Sequence, residues 1–197
     1  MRLCAVIVAG GRSSRMGREK AFELIRRRSI LERVVSCLRM QVPDIVINAN
    51  GDASRFRDTG LPVIGDLRAD TPTPLAGLHA ALTHAVERRF DAVLTVPSDA
   101  PFLPADLAQR LRPVNRPAAI AASAGQQHYL TGSWSAALLP GLSRAMDEPR
   151  LPRLRDWTLV CDAAVVHWPA EPYDPFFNVN TPEELAEAER IAAEFNL

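Results

Sequence analysis

Short apolar runs rich in β-branched residues recur along the first two thirds of the chain, at 3–8, 45–48, 62–65, 92–96 and 118–122. They lack inside–outside alternation, which is the pattern of strands buried on both faces of a parallel sheet. Segments with helical spacing lie between them. Ser29-Ile30-Leu31-Glu32 reads as a capping box, after which Ile30, Leu31, Val34, Val35 and Leu38 fall on one helical face. Residues 75–89 and 104–111 predict further helices. Beyond residue 125 the pattern changes: Gly125-Gln126-Gln127 predicts a turn that joins 118–124 to 129–134 as an antiparallel pair. Residues 135–146 read as helix and 163–168 as strand. A proline-rich connection at 169–175 leads to Asn178-Val179-Asn180, and Thr181-Pro182-Glu183-Glu184 opens a last helix with a threonine cap, proline at the first position and glutamate at the third. The expectation is one α/β domain over 1–197, Rossmann-like in its first half, with a mostly parallel mixed sheet and a small antiparallel element in the second half.

Composition narrows this picture. A length of 197 residues suits a single domain with a substantial core, and an apolar content of 47% argues against disorder. The 23 basic and 23 acidic residues cancel, which argues against broad electrostatic capture of nucleic acid or acidic membranes. Cys4, Cys37 and Cys161 are scattered and odd in number, so they read as thiols of a reducing compartment and not as a disulfide framework or zinc site. The first apolar run is too short for a signal-peptide core or a membrane span, so a cytoplasmic protein is expected. Of the basic residues, 22 are arginine and only Lys20 is lysine. A compact ammonium on a flexible stem differs from a planar guanidinium fork, so the exception either marks a site that arginine cannot serve or is a chance survivor of the arginine bias.

Candidate chemistry collects at the carboxyl ends of the predicted strands, where open α/β sheets bind ligands. The first strand ends at Ala9-Gly10-Gly11, the second at Asn48-Ala49-Asn50, the third at Asp66 and the fourth at Pro97-Ser98-Asp99-Ala100-Pro101. The glycine loop fits neither the P-loop spacing nor G-x-G-x-x-G; it is a loop around a triphosphate, with Arg15 and Lys20 supplying charge, or a plain strand-to-helix turn. Asp99 either holds Mg²⁺ or caps a helix near Pro104. Asp66 is a site carboxylate or a turn aspartate. Asn48 and Asn50 bond a base or ribose, or satisfy loop backbone; Asn178 and Asn180 belong to a structural loop from which Asn180 could reach a metal-bound ligand. His79, His84, His128 and His167 show no metal spacing, and no serine lies in G-x-S-x-G, so nucleophilic enzyme catalysis has little support.

Taken together these residues resemble the molybdenum cofactor guanylyltransferase family, within the nucleotidyltransferases that act on sugar and pterin phosphates. The match runs from Val6 to about Glu189 and rests on Val8-Ala9-Gly10-Gly11-Arg12-Ser13-Ser14-Arg15-Met16-Gly17 with Lys20, Ile47-Asn48-Ala49-Asn50, Pro62-Val63-Ile64-Gly65-Asp66, Pro74-Leu75-Ala76-Gly77, the segment from Val96 to Pro104, and Asn178-Val179-Asn180-Thr181-Pro182-Glu183-Glu184-Leu185. The resemblance implies a three-layer nucleotidyltransferase fold, with 1–112 as the nucleotide-binding half and 113–197 as the acceptor-binding half. It implies transfer of GMP from GTP to the terminal phosphate of molybdopterin, with transient contact to molybdoenzymes or their chaperones and no nucleic-acid or membrane partner. Val8, Ala9, Gly10, Gly11, Lys20, Asn48, Asp66 and Gly77 would bind GTP, Lys20, Asp99 and Arg15 would be catalytic, and Asp99 would carry Mg²⁺. Ala9-Gly10-Gly11 and Ser98-Asp99-Ala100-Pro101 resemble the guanine-selective branch more than the cytidylyltransferases. A cytidylyltransferase, a sugar-phosphate nucleotidyltransferase and a non-catalytic cofactor-delivery protein are the alternatives. Glu19, Arg26-Arg27-Arg28 and Thr73 depart from the family pattern: aspartate is usual at the first, a Gly-x-Pro turn at the second and glycine at the third.

Overall fold

The apolar runs become the strands of one sheet because residues on both sides of each strand are covered. The computed structural model describes residues 1–9, 20–68, 73–112, 115–148 and 152–197. In chain order the strands and α-helices are β1 (Leu3–Val8), β2 (Leu24–Ile25), β3 (Arg28–Ser29), α1 (Ile30–Arg39), β4 (Asp44–Asn48), β5 (Val63–Ile64), α2 (Pro74–Glu87), β6 (Ala92–Pro97), α3 (Leu107–Arg110), β7 (Ala118–Ser123), β8 (Gln126–Ser135), α4 (Leu139–Asp147), α5 (Leu154–Val160), β9 (Ala164–His167) and α6 (Pro182–Glu194). Short 3₁₀ segments cover Lys20–Phe22, Ala53–Thr59 and Ala136–Leu138. Among the described residues, no helix is long and apolar enough to cross a membrane.

The main sheet has the order β5-β4-β1-β6-β8-β7-β9. Neighbours are parallel except around β8, which runs antiparallel to both β6 and β7. This is the mostly parallel mixed sheet expected from the sequence. Alternate residues of β1 feed opposite faces. Ala5 and Ile7 pack with Leu31, Val34, Val35 and Leu38 of α1 and Leu107 of α3, whereas Cys4, Val6 and Val8 pack with Leu75, Leu78 and Leu82 of α2, Leu142 of α4 and Trp157 of α5. Each fully buried Leu or Ile contributes about 1.5–3 kcal/mol, so covering both faces makes an uninterrupted apolar strand favourable. The chain leaves β1 toward β4 and β5 on one side and returns to β6 on the other, so the carboxyl ends of β1 and β6 flank a topological switch point. Because β8 is antiparallel between them, β6 and β7 point the same way and Ser123 ends on the same rim.

Element boundaries differ from expectation in three places. The helix predicted over 104–111 is a single turn at Leu107–Arg110, preceded by prolines and turns. Residues 135–146 split into the end of β8, a 3₁₀ turn and α4, with Pro140 near the start of α4. The turn between β7 and β8 is Ala124-Gly125, with φ of 48° and 76°, so the returning strand already begins at Gln126.

The hairpin β2–β3 has no strong sequence signal. Its two strands are two residues each, and its turn residues Arg26 and Arg27 have φ of 47° and 69°. A two-residue hairpin turn of this form (type I′) has left-handed backbone at both central positions, which Asn or Gly usually supplies. Here Arg26 is anchored on α6: its N–H donates to the Glu189 carboxylate at 3.1 and 3.2 Å and its Nη1 to Ala192 O at 2.9 Å. Arg33 Nη2 donates to Ile25 O at 2.7 Å from below. Beside this polar seam Ile25, Ile30, Phe102, Val179, Ala188 and Ile191 form a separate small core that braces the rim. No partner for the Arg27 side chain exists among the described residues. Left-handed backbone costs a non-glycine residue about 1–2 kcal/mol, against about 0.5–1 kcal/mol of extra chain entropy for glycine. Arg27→Gly is therefore expected to raise unfolding free energy by about 0.5–1 kcal/mol, read as a higher urea midpoint. A midpoint that falls would show the turn to be unstrained.

Candidate functional site

The rim is stitched together by backbone. Val8 O accepts the Ser98 N–H at 3.2 Å and Ala9 N donates to Asn48 O at 2.8 Å, so the ends of β1, β4 and β6 are held in register. Gly10, Gly11 and Arg15 lie outside the described residues. Lys20, the sole lysine, opens the 3₁₀ turn and its Nζ donates to Asn180 Oδ1 at 3.1 Å, joining positions 160 residues apart. This contact brings the first and last parts of the chain to one place.

Asp99 lies two residues beyond β6, and it is no helix cap: the residue preceding α3 is Asp106, which makes no side-chain capping bond. The Asp99 backbone carbonyl accepts the Val179 N–H at 2.9 Å, laying the 178–180 segment beside it. Asn180 N and Thr181 N both donate to the Glu184 carboxylate, at 2.5 and 3.0 Å, while Glu184 N donates to Thr181 Oγ1 at 3.2 Å. The capping box expected from Thr181-Pro182-Glu183-Glu184 is thus present, with an added bond that fixes the backbone of Asn180.

Two oxygens of this stretch are buried with no hydrogen-bond partner among the described residues, Asp99 Oδ1 and Asn178 Oδ1. Burial pushes the Asp99 carboxyl above the usual carboxylate range; the Lys20 charge pulls it down and the Glu184 charge pushes it up. A buried acceptor without a donor costs free energy, and a cation removes that cost. A carboxylate and an amide oxygen are hard donors of the kind Mg²⁺ takes together with waters and phosphate oxygens. Among the described residues no cluster of three or more His, Cys, Asp and Glu could hold a metal. Two such oxygens fit a cation whose other ligands are waters and phosphate oxygens.

On the other flank the Asp66 carboxylate is held oxygen by oxygen. Asn48 Nδ2 donates to Oδ1 at 2.9 Å and Asn50 Nδ2 to Oδ2 at 2.8 Å, while Asp66 N donates to Asn50 Oδ1 at 2.9 Å. The two asparagines orient a carboxylate at the rim. Two residues on, Arg68 Nη2 bonds Asp147 Oδ1 at 2.6 Å and ties this loop to α4.

Gly77 is a close-packing residue of α2: a Cβ there would lie 2.8 Å from Val8 Cγ1 and 2.9 Å from Asn48 Oδ1. Its missing side chain lets α2 approach the ends of β1 and β4. Thr73 has φ of −132°, so no left-handed backbone is needed there, and its hydroxyl accepts the Ala76 N–H as the cap of α2. The threonine that departs from the family pattern replaces backbone freedom with a helix cap. The histidines form no shared centre: His79 bonds Ser143 at 2.9 Å, His84 stacks on Phe90, and His128 bonds Ser123.

Sequence reasoning did not single out Asn178 or Glu184 as site residues. The available signal was the capping box directly after Asn178-Val179-Asn180, which pins those amides at a helix start. It did not reveal that Asp99, just past β6, lies against this segment.

The family model of the MobA-like NTP transferase domain matches residues 5–181. The molybdenum cofactor guanylyltransferase of Rhodopseudomonas palustris (strain BisB5) is 44% identical over 195 residues, covering 95% of this chain and 93% of its own. Among solved structures, molybdopterin-guanine dinucleotide biosynthesis protein A from Archaeoglobus fulgidus aligns with a TM-score of 0.72 at 23% identity, over 98% of this chain and 99% of that one. A nucleotidyl transferase from Methanothermobacter aligns with a TM-score of 0.76 at 18% identity, over 99% of both chains.

Proposed function

The chain belongs to the MobA-like NTP transferase family, and on that premise we propose that it transfers GMP from GTP to the terminal phosphate of molybdopterin and releases pyrophosphate. The observation that carries this reading is the convergence, at the switch point of the sheet, of Lys20, Asn180 and an Asp99 oxygen with no partner among the described residues. An oxygen of the acceptor phosphate attacks the α-phosphorus of GTP, and the bond from that phosphorus to the bridging oxygen breaks as pyrophosphate leaves. The attacking phosphate is already anionic, so no general base is needed. The task is to hold two repelling phosphates in line and offset their charge.

In this reading Val8, Ala9, Gly10 and Gly11 would contact GTP, and Lys20 with Arg15 would meet its phosphates. Asp66, oriented by Asn48 and Asn50, serves the nucleoside side, and Gly77 keeps α2 close to the ends of β1 and β4. Asp99 and Asn178 would hold Mg²⁺, which supplies neutralisation of phosphate charge when bound. The acceptor enters from the half that contains β7, β8 and the 169–180 connection.

A thermal-shift series with GTP, CTP, ATP and UTP, each with Mg²⁺, tests the nucleotide assignment. Nucleotide at 100 times its Kd adds about 2.7 kcal/mol, a rise of roughly 5–10 °C for a chain of this size. The rise is expected for GTP. A rise with CTP and none with GTP would overturn the guanine assignment.

A further inference from the structure

One polar chain near the rim has no place in the mechanism above. Ser123, the last residue of β7, is buried, and its Oγ lies 2.7 Å from His128 Nε2 and 2.7 Å from Asp174 Oδ1. An ionised carboxylate only accepts, so the Ser123 hydroxyl hydrogen points to Asp174 and its lone pair receives Nε2–H from His128. The same Asp174 oxygen accepts the Phe176 N–H at 2.9 Å. Serine, and not histidine, is the middle member. That order cannot activate a serine nucleophile, which needs the imidazole between hydroxyl and carboxylate.

The position of the chain gives it a different use. Residues 174–180 form a strap from the far side of the sheet to the site. One end is hooked at Asp174 through Ser123 and His128; near the other, Val179 N bonds Asp99 O and Asn180 meets Lys20. Between the two ends Phe176 is buried, with its ring 4.8 Å from that of His128 and 5.2 Å from that of Trp168. His128 thus touches the strap twice, by a relayed hydrogen bond and by ring packing. Burial lowers the His128 pKa, with the Asp174 charge opposing.

We propose that His128, Ser123 and Asp174 are positioning residues: a clamp that holds the 174–180 strap so that Asn178 and Asn180 stay against Asp99 and Lys20 during transfer. The catalytic part of this rests on the transferase reading; the clamp itself does not.

Hydrogen–deuterium exchange of the peptide covering 174–181, together with steady-state kinetics on the same proteins, tests both parts. His128→Phe keeps the ring against Phe176 and removes the donor. It is expected to speed exchange in this peptide by about tenfold and to lower kcat by about tenfold, with KM for GTP within about twofold. His128→Gln places an amide N–H near the former Nε2–H and is expected to recover most of both losses. Unchanged exchange in His128→Phe overturns the clamp, whatever kcat does, and so does a His128→Gln variant as impaired as His128→Phe. If His128→Phe fails to fold, Ser123→Ala with Ser123→Thr as the rescue carries the same comparison. A wild-type protein without acceptor-dependent turnover would sink the transferase reading, while the exchange measurement still decides the clamp.

Discussion

Asp99→Asn is expected to lower acceptor-dependent pyrophosphate release by about 10³-fold or more while the protein stays folded. The substitution keeps the shape and removes the charge, so it separates cation holding from packing. Its effect on stability has the opposite sign. The folded-state pKa of Asp99 is raised from 3.8 by burial, so the native state binds this proton more tightly than the unfolded chain. The stability the group contributes is fully present below pH 3.8, is lost as pH rises through the folded pKa, and at neutral pH the ionised carboxylate destabilises the native state. Asparagine at the same place carries no such penalty, so without divalent cation the variant should melt higher than wild type at pH 7, the pattern of a site whose function costs stability. Mg²⁺ with GTP should raise Tm in wild type and have a smaller effect in Asp99→Asn. Unchanged turnover would remove Asp99 from the mechanism, and an undiminished Mg²⁺-dependent gain in Tm would move the cation elsewhere.

How much of this site could be read in advance depends on whether each signal is local. The strands β1, β4, β6 and β7 were legible because burial on both faces demands continuous apolar runs, and the starts of α1 and α6 because a capping box is complete within four residues. The rim could be inferred from topology alone, since polar residues at the ends of parallel strands converge at a switch point. What was not legible depends on distant partners or on unfavourable local choices. Arg26 and Arg27 carry no turn propensity, and the hairpin exists because α6 offers Glu189 and Ala192 O to receive Arg26. Gly77 resembles a ligand-contacting glycine in sequence, yet its missing Cβ is required by Val8 and Asn48. Asn48 and Asn50 read as groups for a base or ribose or for loop backbone, and no local signal shows that their amides hold the Asp66 carboxylate. The link between Ser123, His128 and Asp174 spans three separate segments, and no spacing announces it.

Lys20→Arg is expected to lose about 10²-fold in kcat/KM, nearly as much as Lys20→Ala. If charge alone mattered, arginine would rescue, since it is always protonated. The geometry argues otherwise. Lys20 Nζ is a point donor 3.1 Å from Asn180 Oδ1, and the backbone of Asn180 is fixed by Glu184 while its neighbour Val179 is fixed by Asp99. A broad planar fork cannot take that place without displacing the strap that carries Asn178. This chain uses arginine for every other basic position, 22 in all, so an arginine here would match its prevailing usage. Lysine here is what a site that requires a compact cation would keep. The same scarcity makes the prediction easy to read, because Lys20 and the α-amino group are the chain's only amines. Met1 precedes β1 at the amino end of the strand, away from the rim, with its amine 3.9 Å from Asp91, so it serves as an internal control for amine-selective labelling. Saturating Mg²⁺ and GTP should protect Lys20 and leave Met1 reactive. If Lys20 is labelled as fast with Mg²⁺ and GTP as without them, its ammonium does not meet the phosphates. Rescue of turnover by Lys20→Arg would show that charge, and not the size of the cation, is what the site requires.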